Sequence, residues 1–91
     1  LGLHDVQYLY EFLFWLITFF ILKKVWHKPI VRTYYGYSVS AFNVIAVFFF
    51  TLMSISGNMS SLDAFSFGFL HAMVAVVMLT LLGSAKEFEV N

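Results

Sequence analysis

The chain has 91 residues, of which 62% are hydrophobic and 11% are charged, and its formal net charge is zero. This composition excludes an ordinary soluble domain, and the few basic residues form no extended face for nucleic acid. Cysteine is absent, which excludes disulfides and cysteine-ligated metal clusters. At this length we expect one membrane domain covering residues 1–91.

The first apolar run predicts a transmembrane helix over residues 6–26. Its length is close to the roughly 20 residues that cross a hydrocarbon core of about 30 Å. A single carboxylate, Glu11, interrupts the apolar part of the run, about one and a half turns into the helix. We favour an interfacial carboxylate that pairs with a neighbouring subunit, and a place in a proton path is the alternative.

A basic hinge follows this helix. Four of the five basic residues of the chain lie in it: Lys23, Lys24, Lys28 and Arg32. The positive-inside rule places such a hinge on the cytoplasmic, matrix or stromal side of the membrane. Lys86, two crossings later, falls on the same side, whereas Asp5 and Asp63 fall on the other. The predicted topology has the N-terminus outside and the C-terminus inside.

The second predicted helix covers residues 37–56 and has no formal charge between residues 38 and 55. Small or polar residues recur there at steps of three or four and therefore share one face of the helix. The stripe consists of Gly36, Ser40, Asn43, Val47, Thr51 and Ser54, all of them small or polar except Val47. Small residues let membrane helices approach closely, and polar residues bond across the contact. The stripe therefore predicts a packing face.

The third predicted helix covers residues 63–83 and carries a small-residue stripe of its own. This second stripe consists of Ala64, Gly68, Ala72 and Ala75, with His71 on its edge. The simplest packing places the two stripes against each other or against a partner chain. The whole chain is then an all-α integral membrane protein with three transmembrane helices.

His71 lies more than two turns into the third helix, well below the headgroups. An ionisable group at that depth is costly, so a functional role is the default hypothesis. The imidazole can relay protons, ligate haem iron or hydrogen-bond a quinone. The alternative is a neutral imidazole that donates to a carbonyl or hydroxyl on the next helix. A path from Glu11 through His71 to Asn43 is a further hypothesis, which spacing alone cannot test.

The other histidines restrict a haem site. His4 lies in the outer tail and His27 lies in the inner hinge, so neither readily reaches the second face of a haem held by His71. A bis-histidine site would need a second chain. We therefore expect no metal site and no cofactor bound by this chain alone, although a shared haem, a quinone or a structural lipid remains compatible with it.

The chain resembles the NADH:ubiquinone oxidoreductase chain 4L family, the three-helix subunits in the proton-pumping arm of respiratory complex I. Gly36 and the stretch from Ser38 to Asn43 look like the family's Gly-Leu-Glu and Asn pattern on its second helix. The segment Leu70-His71-Ala72 falls where the family has Ala-Glu-Ala, and the following Val-Val-Met-Leu-Thr-Leu-Leu run is similar. Ser38 or Val39 and His71 replace the two family glutamates, so the resemblance implies a divergent member with an altered proton route.

We expect a small integral subunit of a respiratory or other energy-transducing complex that is not catalytic alone. Other integral subunits and lipids are the expected partners, and no soluble substrate is expected, since almost no chain lies outside the helices. The expected location is the mitochondrial inner membrane or a bacterial plasma membrane. The alternatives are a structural accessory subunit of another membrane complex and an anchor subunit that contacts haem or quinone.

Overall fold

The computed structural model of the chain describes the backbone of residues 3–90 and the side chains of residues 5–85. It contains three helices, α1 (Leu3–Val25), α2 (Pro29–Ile55) and α3 (Ser61–Val90). Each helix includes a segment that is long and apolar enough to cross a membrane. The prediction of an all-α chain with three helices of membrane-spanning length is therefore confirmed. The short connections make α1 and α3 run in the same direction and α2 in the opposite one.

The second helix begins at Pro29, well before the predicted start near residue 37. Proline suits the first turn of a helix, because its missing N–H would have no partner there and its ring presets φ. Lys28 precedes it in an extended conformation, with φ −115° and ψ 92°. The prediction failed at this boundary because it placed the helix start at the edge of the uncharged run. A helix can continue past that edge into the polar interface.

The corner between α1 and α2, which we call the basic end of the molecule, is closed by Arg32. Its side chain is only 6% exposed. The guanidinium donates to the backbone carbonyl of Trp26 at 2.6 Å and lies 5.0 Å from the centre of the Trp26 ring. This bond satisfies a carbonyl just beyond the end of α1, where no further helical N–H follows. Arg32 therefore ties the first turn of α2 to the end of α1.

The opposite end, which we call the loop end, is formed by residues 56–60. Gly57 adopts a left-handed φ of 81° directly after the α2 cap residue Ser56. The N–H of Gly57 donates to the carbonyl of Ser54 at 3.1 Å, and the N–H of Asn58 donates to that of Met53 at 3.0 Å. These two bonds form a Schellman motif, which ends the helix. On the other side of the loop, the Ser60 hydroxyl accepts the Asp63 N–H at 3.2 Å and caps α3.

We expect Gly57→Ala to lower the free energy of unfolding by about 1 kcal/mol, because an L side chain disfavours positive φ. Gly83→Ala is the matched control, since Gly83 is helical and an added Cβ would have no neighbour within 4 Å. This control should be neutral or slightly stabilising. Unfolding measured by steric trapping in lipid bicelles tests both variants. Equal stability of the Gly57→Ala variant and the native chain would contradict the assigned role of the turn.

The helices pack around two small apolar clusters. Leu22, Met78 and Leu82 form one cluster at the basic end. A second cluster at the loop end contains Phe50, Ala64 and Phe67. Helices α2 and α3 pack along most of their length, whereas α1 touches the pair at fewer points. The predicted small stripes face this α2–α3 contact.

The two stripes close on each other only in part. Gly36, Ser40 and Ala75 are buried. Nearer the loop end, the stripe residues surround a shallow groove of about 220 Å³: Val47, Thr51, Ala64, Gly68 and Ala72. Residues that look equivalent by spacing therefore have different surroundings.

Most large apolar side chains point outward. Phe20, Phe48 and Phe65, one from each helix, are 60%, 66% and 70% exposed. The chain is also thin, measuring 50 × 26 × 15 Å between Cα atoms, so its own helices can cover few of these rings. An apolar surface of this extent is not stable in water. Together with the lengths of the helices, it indicates a membrane protein whose outer faces contact lipid or other chains.

Candidate functional site

The three helices bring three of the predicted polar residues together. Glu11 of α1, Asn43 of α2 and His71 of α3 are 9%, 0% and 6% exposed. One ring nitrogen of His71, Nε2, lies 2.6 Å from Glu11 Oε2. The other, Nδ1, lies 2.7 Å from Asn43 Oδ1. The hypothesised path from Glu11 through His71 to Asn43 therefore corresponds to direct contacts, which we call the polar triad.

Two further bonds hold the ends of the polar triad. Gln7, one turn before Glu11 on α1, donates from Nε2 to Glu11 Oε1 at 2.8 Å. Asn43 donates from Nδ2 to the carbonyl of Val39 at 2.7 Å. Among the described side chains, every buried nitrogen and oxygen has a hydrogen-bond partner. Complete hydrogen bonding of this kind is expected in an apolar environment, because an unpaired polar group there is costly.

The contacts define where the protons of His71 lie. The Val39 carbonyl only accepts, so Asn43 must turn its amide nitrogen toward it and its oxygen toward His71. The His71 Nδ1 atom must therefore carry a hydrogen and donate it. Between Nε2 and the carboxyl of Glu11, one further proton makes the short contact favourable. It belongs either to a carboxylic acid that donates to the ring or to an imidazolium that donates to a carboxylate.

Both proton positions leave the Glu11–His71 pair with zero net charge. A neutral pair is far less costly to bury than a lone ion, because an isolated charge loses its hydration without compensation. The acid and the base hold one exchangeable proton between them. Chemically, the pair can store that proton and return it, and it can accept or release another at the cost of a net charge.

Aromatic rings surround the imidazole. The Phe50 ring stacks on it with centroids 5.6 Å apart and an interplanar angle of 25°. The Phe14 ring approaches at 5.6 Å and 47°. These rings limit the access of water to His71 and strengthen the polar contacts that remain.

A partly open groove of about 410 Å³ lies beside the triad and is lined by Tyr10, Glu11, Phe14, Phe42, Ile45, Ala46, Phe49, Phe50 and His71. Its walls are almost entirely apolar. The acid–base pair is therefore reached through an apolar lateral opening.

Small neighbours make room for the polar triad. Ser40 lies one turn before Asn43 on α2, and its hydroxyl donates to its own helix at the Gly36 carbonyl, 2.8 Å away. Ala75 lies one turn after His71 on α3 and is 5% exposed. Neither side chain competes for the His71 ring, and both let α2 and α3 approach closely. The small stripes thus position the imidazole between Glu11 and Asn43.

Ser38, a candidate through the family resemblance, lies elsewhere. It is exposed, and at 100° per residue it sits about 140° around α2 from Asn43. Gln7 was absent from the sequence prediction although its spacing of four from Glu11 was a usable signal. The bond from the Tyr35 hydroxyl to the Thr18 carbonyl, 2.8 Å, was also missed. Nothing in the sequence indicates it, because it depends on how α1 and α2 are rotated.

The described residues include no group of three or more His, Cys, Asp or Glu side chains that could hold a metal ion. Both ring nitrogens of His71 are engaged, so ligation of haem iron would require the loss of either Glu11 or Asn43 as partner. His27 is exposed, beyond the end of α1, and His4 lies outside the described side chains. Metal ligation at His71 would therefore break one of the two contacts that hold its ring.

No known protein family, curated protein or solved structure matches this chain.

Proposed function

We propose that the chain is a small integral subunit of a multisubunit energy-transducing membrane complex, in which the Glu11–His71 pair exchanges protons. The observation that carries this proposal is a buried acid–base pair, 2.6 Å apart, between two helices long enough to cross a membrane. Ionisable groups at membrane depth mark proton relays and ion pathways. The resemblance to the chain 4L subunits of complex I points to the same class of assembly.

The chain's outer surface supports the role of a subunit. All three helices expose bulky rings, and the described structure is almost entirely helix, so catalysis on a soluble substrate has little protein to support it. Other integral subunits and lipids are the proposed partners. We also propose that the basic end faces the cytoplasm or matrix, with the N-terminus on the opposite side, because positive residues concentrate there. The mitochondrial inner membrane and a bacterial plasma membrane both fit.

The three side chains have different roles in this proposal. Glu11 and His71 are the groups that exchange the proton. Asn43 fixes the orientation of the imidazole by accepting the hydrogen bond from Nδ1. It does not take the proton, because an amide oxygen is too weak a base. A proton that arrives at Nε2 therefore stops at His71 until the Nδ1 bond to Asn43 opens and another acceptor replaces it. The Glu11–His71 pair thus holds the proton, and the bond from Nδ1 to Asn43 controls its release on the other side of the ring.

Glu11→Gln in the intact complex tests the proposal. An amide at this position can still donate to the His71 ring, but it cannot transfer a proton. We expect the complex to assemble and electron transfer to continue, while the number of protons translocated per electron falls. Ser38→Ala is the control, because Ser38 is exposed and distant from the triad, and it should pump normally. Proton uptake by reconstituted vesicles, measured with a pH-sensitive dye, gives the ratio.

Two other outcomes would identify the alternatives. Unchanged pumping in the Glu11→Gln variant would exclude the proton role and favour a structural accessory subunit. One observation favours that alternative. Helix α1 makes few contacts with α2 and α3, and the Glu11–His71 and Tyr35–Thr18 bonds are two of them, so the pair also holds α1 in place. Replacing His71 by leucine adds a third comparison. If a haem absorbance band disappears in that variant, the chain is an anchor that shares a haem with a partner.

A further inference from the structure

A second groove lies between α1 and α3 at the basic end of the molecule, far from the polar triad. Its volume is about 340 Å³. The lining residues are Phe19, Leu22, Lys23, Trp26, His27 and Leu81. Three apolar side chains form the part within the helices, and two groups that can carry positive charge lie at or beyond the end of α1. The groove is therefore apolar toward the membrane core and basic toward the interface.

We infer that this groove binds an acidic glycerophospholipid. An acyl chain would pack along the partly buried Phe19 and Leu81, with the buried Leu22 beneath it. The headgroup phosphate would accept hydrogen bonds from Lys23 and His27. Basic pockets between membrane helices are suited to acidic lipid headgroups, since each nearby cation adds attraction at the membrane surface. Lys23 and His27 are exposed. Either side chain can therefore bind a headgroup without breaking a buried contact within the protein.

Trp26 forms one side of the groove, and Arg32 fixes its position. Arg32 donates to its backbone carbonyl at 2.6 Å and stacks over its ring at 5.0 Å. An indole at this level suits the boundary between acyl chains and headgroups, where an apolar ring with one donor is favoured. Arg32 is thus a positioning residue for the site, and its charge adds to the local positive potential.

Charge complementarity selects an acidic lipid over a zwitterionic one. The four basic residues with described side chains lie at this end: Lys23, Lys24, Lys28 and Arg32. The acidic residues with described side chains, Asp5, Glu11 and Asp63, belong to the other half of the molecule. The apolar part of the groove favours a lipid over a free phosphate ion, because a phosphate ion would leave those apolar side chains uncovered.

Native mass spectrometry of the full chain, released from nanodiscs with equal amounts of phosphatidylglycerol and phosphatidylcholine, tests the inference. We expect the native chain to retain phosphatidylglycerol selectively. Lys23→Gln should lower the ratio of bound phosphatidylglycerol to phosphatidylcholine about fivefold, the change expected for one basic residue near the headgroup. Lys24→Gln is the matched control, because it removes the same charge from the neighbouring position, where the ammonium lies 5.4 Å from the Phe20 ring instead of lining the groove.

A third variant separates the groove from general surface charge. Leu81→Trp fills the apolar part and should reduce lipid retention with no change in charge. The inference is overturned if phosphatidylcholine is retained equally well, or if Lys23→Gln and Lys24→Gln lower the ratio to the same extent. It is also overturned if a folded Leu81→Trp variant retains the lipid fully. Should that variant fail to fold, the comparison of the two lysines still decides.

Discussion

Replacing His71 by leucine is expected to lower the free energy of unfolding by about 2 kcal/mol, or about 1 kcal/mol for each interhelical bond that is lost. The leucine retains apolar contact with Phe50 and Phe14, so the main loss is polar. Asn43 loses the partner of its side-chain oxygen, and Glu11 keeps only Gln7. Both groups remain buried without a full set of partners. Removing one member of a polar contact therefore lowers the free energy of unfolding more than removing both members does.

A double-mutant cycle isolates the contact between Glu11 and His71. The Glu11→Leu, His71→Leu variant should be destabilised by less than the sum of the two single variants, because neither partner is then left unpaired. Thr80→Leu is the control on the same helix, since Thr80 is exposed and bonds only to the Val76 carbonyl of its own helix. We expect it to change stability by less than about 0.5 kcal/mol. Additive single effects in the cycle would show that the pair does not stabilise the fold.

Gly36→Val is expected to destabilise the packing of α2 on α3 by about 2 kcal/mol through overpacking. A Cβ at residue 36 would lie 2.5 Å from Leu82 Cδ1 and 2.9 Å from Leu82 Cγ. Leu82 is 5% exposed and packs with Leu22 and Met78, so it has little room to withdraw. Unfolding by steric trapping in bicelles measures the loss.

Two further variants test the cause of this effect. Leu82→Ala in the Gly36→Val background should restore part of the stability, because the shorter side chain frees the space that valine needs. Gly68→Val is the matched control: it belongs to the other predicted stripe, but an added Cβ there would have no neighbour within 4 Å. Equal losses for the two glycine variants would mean that helix propensity, not the contact with Leu82, determines the result.

These two glycines illustrate what sequence patterns can and cannot predict here. Spacing placed Gly36 and Gly68 in small stripes, and both lie on the faces where α2 and α3 meet. Spacing could not tell that Gly36 contacts a leucine while Gly68 borders a groove. That difference depends on the side chain that the facing helix presents at each level. The start of α2 at Pro29 was missed for a related reason, because hydropathy reports the apolar run and not the end of the hydrogen-bonded helix.

Length and hydropathy alone determined the three helices of membrane-spanning length, because a run of about 20 apolar residues has few other stable environments. They also singled out Glu11 and His71, since an ionisable residue stands out within an apolar run. Only the tertiary structure decided that these two residues touch, that Asn43 completes the contact and that Ser38 does not. A helix that is apolar on every side carries no hydrophobic direction, so its rotation is set by close packing and by polar bonds between helices.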